Sequence, residues 1–226
     1  MFTGTIVNAG AVIIGSLIGI VFHKNFPKNF KRIVFNGLGL ATIFLGITMA
    51  LNQTNFLILI FSILLGGLIG EFIKLEHFLT SIGNRIKKIT KSENDKFVEG
   101  MIAAFLLFCM GSMTFVGSID AGLRGNNQLL FTKSLMDFFA STFLASTYGI
   151  GVLFSFIPLL IFQGGLTISA SYAEVIFTDP MINNLTAVGG LIIIALGLNL
   201  LDLKEIKVAN FLPALLIVIL LSLIFL

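Results

Sequence analysis

Residues 56–96 read FLILIFSILLGGLIGEFIKLEHFLTSIGNRIKKITKSENDK. Across Phe56–Phe72 the only charge is Glu71, near the far end; the next stretch carries Lys74, Arg85, Lys87, Lys88, Lys91 and Lys96. An apolar run of this kind is stable in hydrocarbon only when its backbone groups bond to one another, as a helix does. Short loops rich in Lys and Arg are retained in the cytoplasm. The stretch therefore predicts a helix that crosses a membrane and ends inside, followed by a basic loop.

The same alternation runs outward in both directions. Lys24, Lys28, Lys31 and Arg32 follow the first apolar run, and Lys204 and Lys207 follow the seventh, while only Arg124 and Lys133 fall in gaps on the other side. The spacing predicts an all-α, polytopic transmembrane bundle of about eight spans, at 4–22, 33–51, 56–73, 101–119, 134–154, 156–173, 184–201 and 208–226. The outer loops are Asn52–Asn55, Asp120–Lys133 and Ala173–Asn183. The inner ones are His23–Arg32, Lys74–Gly100, a turn near Ser155, and Asp202–Lys207. Both termini then face outward. Spans five and six are divided only by Gly149, Gly151, Ser155 and Pro158; if Pro158 kinks one helix instead, the count is seven and the C-terminus lies inside.

Composition agrees. The 226 residues are 57% hydrophobic and 11% charged and include 24 Phe, and the mean hydropathy is +1.05. That apolar load exceeds what a soluble interior of this size hides. Eight crossings of roughly 20 residues leave room for one membrane domain, 1–226, and nothing more. The first run starts without preceding basic charge, unlike a signal peptide. The net charge of +3 reflects the inner loops, and no basic, aromatic-laced soluble face for nucleic acid is present. The single cysteine, Cys109, excludes an intrachain disulfide.

In the long inner loop, Leu75, Phe78, Leu79, Ile82, Ile86 and Ile89 recur at helical spacing between the bases, so 74–100 reads as an interfacial segment lying against anionic lipid. An internal duplication is also legible. Residues 1–72 and 156–226 each hold three spans; Asn8-Ala9-Gly10 matches Gln163-Gly164-Gly165, and Gly39 and Gly46 match Gly190 and Gly197 in spacing. The topology makes the two halves inverted, a construction that places transporter sites between repeats. The hairpin 98–155 is then an addition between them.

Polar side chains in hydrocarbon need a partner or a wet cavity. Asp137 is the one acid well inside a span, on a stripe with Ser134, Ser141, Ala145 and Tyr148. It pairs with Lys133 one turn away, or it binds a cation or proton; both readings stand. Asp120 either joins it at the outer mouth or ends span four. Asn8, Asn36, Gln163 and Asn199 lie within spans, where amides fasten helices by bonds of the order of 1 kcal/mol or line a pathway. The outer side holds Asp120, Asp137, Glu174 and Asp179 against two bases; the inner side holds seven acids against twelve, a weak preference for cations at the mouth. Gly15/Gly19 and Gly66/Gly70 have the spacing of close helix contacts. No buried His–Ser arrangement, metal-ligand spacing or phosphate loop is present, so neither catalysis nor a cofactor is expected.

Several segments are similar to the bacterial membrane family DUF554. They are Gly4-Thr5-Ile6-Val7-Asn8 with Gly15, Phe108-Cys109-Met110-Gly111, Gly117-Ser118-Ile119, and Lys133-Ser134 with Asp137. Pro158 through Gln163-Gly164, Thr186 through Gly190, Gly197 through Leu201, and Ala209 through Ala214 complete the set. The resemblance implies a multi-span protein of the bacterial cytoplasmic membrane and points to Asn8, Asp137, Gln163, Asn199 and Asn210, without roles. Relatives often carry Asp where this chain has Asn126. The leading expectation is a small transporter or channel for a cation, proton or small polar solute, with Asp137, Asp120, Asn8, Gln163, Asn199 and Ser141 on the pathway and a homo-oligomer thickening the wall. A non-transporting scaffold or regulator is the competing class.

Overall fold

Apolar runs become helices, and their small residues decide which of them meet. The structure, a computed structural model, describes residues 2–25, 28–173 and 178–225, and the side chains of all these except 23–25, 28–31, 34–35 and 171–173. The side chains of His23, Lys24, Lys28 and Lys31 and the expectation for Glu174 lie outside the described residues. Among the described residues the chain is helical, with no strand. The α-helices are α1 Thr3–Asn25, α2 Lys28–Ala50, α3 Phe56–Phe72, α4 Leu75–Ile89, α5 Phe97–Cys109, α6 Ser112–Arg124, α7 Gln128–Tyr148, α8 Phe156–Ala173, α9 Asp179–Leu200 and α10 Ala214–Phe225.

At four places the helices bear on the spans read from the sequence. The fourth span is not one rod: α5 and α6 meet at 64°. Gly111 is extended there, and the Thr114 hydroxyl donates to the Phe108 carbonyl at 2.9 Å, satisfying an acceptor that the break frees. The outer loop expected at Asp120–Lys133 shrinks to residues 125–127, because α6 continues to Arg124 and α7 begins at Gln128. Lys133 thereby joins a helix. The basic loop folds as α4, bent 58° from α3 at Lys74, whose φ is 54°. Spans five and six are separate helices, parted by 3-10 turns at Gly149–Gly151 and Leu153–Ser155. Among the described residues, four helices are long and apolar enough to cross a membrane, or up to six if each bent pair counts once.

Helix directions follow from close contacts. Gly4 N–H donates to Asn127 Oδ1 at 2.9 Å, and Gly19 lies on Thr142 and Ala145, so α1 and α7 run parallel. Phe115 packs edge-on against Phe162 and Gly122 lies on Thr167 and Ala170, so α6 and α8 are parallel. Gly39 faces Gly197 while Gly46 faces Gly190, which makes α2 and α9 antiparallel. Gly66 meets Ala214 and Gly70 meets Asn210, which makes α3 and α10 antiparallel. In each pair a glycine lets backbones approach to a distance that a Cβ would forbid.

The sorting of side chains is the reverse of a soluble protein's. Asn8, Ser16, Ser118, Ser141, Gln163 and Thr167 are fully buried, whereas Ile14, Leu17, Phe44, Leu68, Leu135, Phe139 and Leu216 are exposed. Apolar surface on this scale is stable against lipid and not against water.

Candidate functional site

The Ser134–Tyr148 stripe of α7 turns inward as its spacing requires. Ser134, Asp137, Ser141, Ala145 and Tyr148 are buried, while Leu135, Met136 and Phe143 on the opposite face are open. Because α7 starts at Gln128, Asp137 lies midway along its helix and not at an outer mouth. It pairs with Lys133 one turn earlier; the two residues are only 7% and 4% exposed. The Asn8 amide of α1 interacts with the Asp137 carboxylate. Asn8 Nδ2 also donates to Gln163 Oε1 of α8 at 3.0 Å, and Gln163 Nε2 donates to Thr5 Oγ1 at 3.1 Å. Asn8 Oδ1 has no partner among the described residues. Three of the expected site residues, Asp137, Asn8 and Gln163, are therefore brought together, with Lys133 in the pairing that its spacing from Asp137 offered and with Thr5 added.

The other expected positions go elsewhere. Asp120 accepts from Asn126 Nδ2 at 2.7 Å and from Arg124 at 3.4 Å; among the described residues it shares no hydrogen-bond or ion-pair partner with Asp137. An Asp at 126 would replace that donor by a second carboxylate. Ser141 bonds within α7, to the Phe138 carbonyl, and packs under Gly15 of α1. Asn199 holds the backbone of Ile206 at both N–H and C=O, at 2.9 and 2.7 Å, which closes the loop between α9 and α10. Asn184 escaped notice as the edge of a span: fully buried, its Oδ1 accepts from Thr54 N–H and hydroxyl at 2.9 and 3.0 Å, tying α9 to the loop before α3.

The family profile for the "Protein of unknown function (DUF554)" matches residues 3–223. The chain belongs to the DUF554 family. It is 36% identical over 218 residues to the uncharacterized membrane protein YdfK of Bacillus subtilis (strain 168), covering 95% of this chain and 93% of that one. It is 31% identical over 227 residues to the uncharacterized protein YqgA of Escherichia coli (strain K12), covering 98% and 97%. No solved structure matches. With the apolar exterior, the relationship makes this DUF554 chain a membrane protein.

A second polar assembly in the DUF554 chain lies where α3 bends into α4. Glu71 Oε1 accepts from Lys207 at 2.8 Å and its Oε2 from Asn210 Nδ2 at 2.6 Å. Asn210 Oδ1 accepts the Glu76 N–H at 2.6 Å, and Glu76 Oε2 accepts the Ala209 N–H at 2.9 Å. Burial raises the Glu76 pKa, against the Ala209 bond and Lys207; the Glu71 bond raises that of Lys207. A cavity of about 690 Å³ opens there between α4 and the start of the last span. Neither Glu stood out in the sequence, because acids at a basic inner loop read as ordinary solvated charge. Only Asn210 was singled out, through the family resemblance.

Proposed function

We propose that the protein is a small transporter or channel of the bacterial cytoplasmic membrane, moving a cation, a proton or a small polar solute past Asp137. The observation that carries the reading is the buried Lys133–Asp137 pair, joined through Asn8 to Gln163, so that α1, α7 and α8 meet on charge and amide. Ionisable groups at such depth are costly and mark pathways more often than struts. The carboxylate and the unpartnered Asn8 Oδ1 are hard oxygens suited to a cation. Lys133 occupies the place a cation would take, so entry requires Lys133 to turn away or lose its proton. The break between α5 and α6 supplies a discontinuous helix of the sort transporters use.

The helix directions fit eight passages with both ends outside, and they support an inverted repeat of 1–72 and 156–226. The contacts Gly39–Gly197 and Gly46–Gly190 are exchanged by a two-fold that maps Gly39 onto Gly190 and Gly46 onto Gly197. The matched amides Asn8 and Gln163 bond to each other. A homo-oligomer and the absence of catalysis belong to the same proposal. The competing reading, a scaffold, draws on the pairing and near-complete burial of the same groups. Purified protein in proteoliposomes decides between them: wild type moves at least one of protons, Na⁺, K⁺ or small polar solutes above empty vesicles, and Asp137→Asn does not. Background flux for the whole panel, with Asp137→Asn altering only stability, sinks the transport reading.

A further inference from the structure

The α3–α4 cavity has a directional charge pattern that a simple interfacial helix lacks. His77, Thr80, Ser81, Asn84, Arg85 and Lys88 recur at 3.6-residue spacing and line it as one face of α4, as helical geometry demands. Phe78, Ile82 and Ile89 lie outside that face and are exposed, and Gly83 seats α4 on Val98 and Met101 of α5. A helix merely floating at the interface would open its polar face to water. Here Glu71, Lys207 and Asn210 form an opposing wall.

Two acids line this cavity against four bases, and both acids already accept hydrogen bonds. Glu71 and Glu76 accept the bonds from Lys207, Asn210 and Ala209 described above. Lys74, Arg85 and Lys88 line the same space and have no ion pair among the described residues. Unpaired bases converge with the Ser81, Thr80 and Asn84 side chains, a donor set matching phosphate oxygens; Arg85 offers the planar fork that favours them. The exposed Phe72, Ile73, Phe78 and Ile82 set this cavity level with the edge of the apolar surface, where headgroups lie.

We propose that this cavity binds a phosphate-bearing anion, either the headgroup of an anionic lipid or a free phosphate ester, through Arg85, Lys88 and Lys74. The proposal is independent of transport at Asp137. It is tested by calorimetric titration of the full chain in neutral detergent with short-chain phosphatidylglycerol, short-chain phosphatidylcholine, glycerol phosphate and inorganic phosphate. Saturable binding of phosphatidylglycerol over phosphatidylcholine identifies a lipid site; saturable binding of glycerol phosphate or phosphate identifies a soluble ligand. Arg85→Gln with Lys88→Gln weakens the bound anion by about thirtyfold. Lys87→Gln with Lys91→Gln removes equal charge from the end of the same helix and the turn just after it, outside the cavity, and leaves affinity within about twofold. Equal loss in both double variants reduces the effect to diffuse attraction and overturns the proposal, as does the absence of saturable binding by any of these anions. A thermal melt of each variant, unchanged from wild type, confirms that folding is not the cause.

Discussion

Asp137 and Lys133 illustrate how one residue's environment is set by another's helix. Each alone would be an uncompensated charge among apolar groups, and removing one partner of such a pair costs about 3 kcal/mol or more. Replacing both by apolar side chains of similar size is often neutral. Asp137→Asn is therefore expected to lower the unfolding free energy in detergent by about 3 kcal/mol, and Lys133→Met with Asp137→Leu to recover most of it. Unfolding curves of the three proteins check this; a double variant as unstable as the single one would assign the pair a structural role that packing cannot replace. Flux separates the functions, since the recovered double variant stays inactive if the carboxylate carries transport. Asp137, Asn8 and Gln163 were legible in the sequence because polar groups stand out in apolar runs. The pairing of Asp137 with Lys133 was legible too, from their four-residue spacing. The burial of Lys133 was not, since a cation at the end of a run reads as a loop anchor, and it follows from the six residues by which α7 begins early. Asn199 has the same apolar surroundings as Gln163 but binds the Ile206 backbone, a fact of tertiary placement that spacing does not carry.

At the scale of the element, glycines decide which helices touch. On α1, Gly15 and Gly19 lie against the Phe138 and Thr142 carbonyls of α7, whereas a Cβ at Gly10 would meet nothing within 4 Å. Without a hydrophobic driving force between helices in lipid, this close backbone approach supplies the packing that holds them. Gly15→Ala is expected to destabilise by about 1–3 kcal/mol through overpacking, and Gly10→Ala to stay within about 0.5 kcal/mol of wild type. Thermal unfolding of the two variants is the measurement; equal effects would show that α1 and α7 adjust freely. The GxxxG spacing announced a contact in the sequence but not its partner. The α5–α6 break was harder still: Gly111 lies in an otherwise helical run, and the Thr114–Phe108 bond that supports it is visible only in three dimensions. The amphipathic spacing of α4 was plain, while two of the three residues of the opposing wall that makes a cavity of its polar face, Lys207 and Asn210, come from more than a hundred positions away.

For the molecule as a whole, orientation follows from charge, and the helix directions must then agree with it. The loop between α2 and α3 holds no base, while the segment between α4 and α5 holds Lys91 and Lys96. Since α3 separates the two, retention of Lys and Arg inside predicts Asn52 outside and Asp95 in the cytoplasm. The parallel α1–α7 and α6–α8 pairs and the antiparallel α2–α9 and α3–α10 pairs are all satisfied by strict alternation from that start. Reversing any one of these eight helices would break one of the pairs. The native thiol does not interfere with a labelling test, because Cys109 is buried and its replacement by Ala removes it altogether. In that background, Asn52→Cys is expected to react with a membrane-impermeant maleimide in intact cells, and Asp95→Cys only after lysis; both positions are exposed. Labelling of Asp95→Cys in intact cells, with Asn52→Cys protected, would turn the molecule over. It would put the α4 cavity on the outer face, far from the cytoplasmic leaflet's anionic surface.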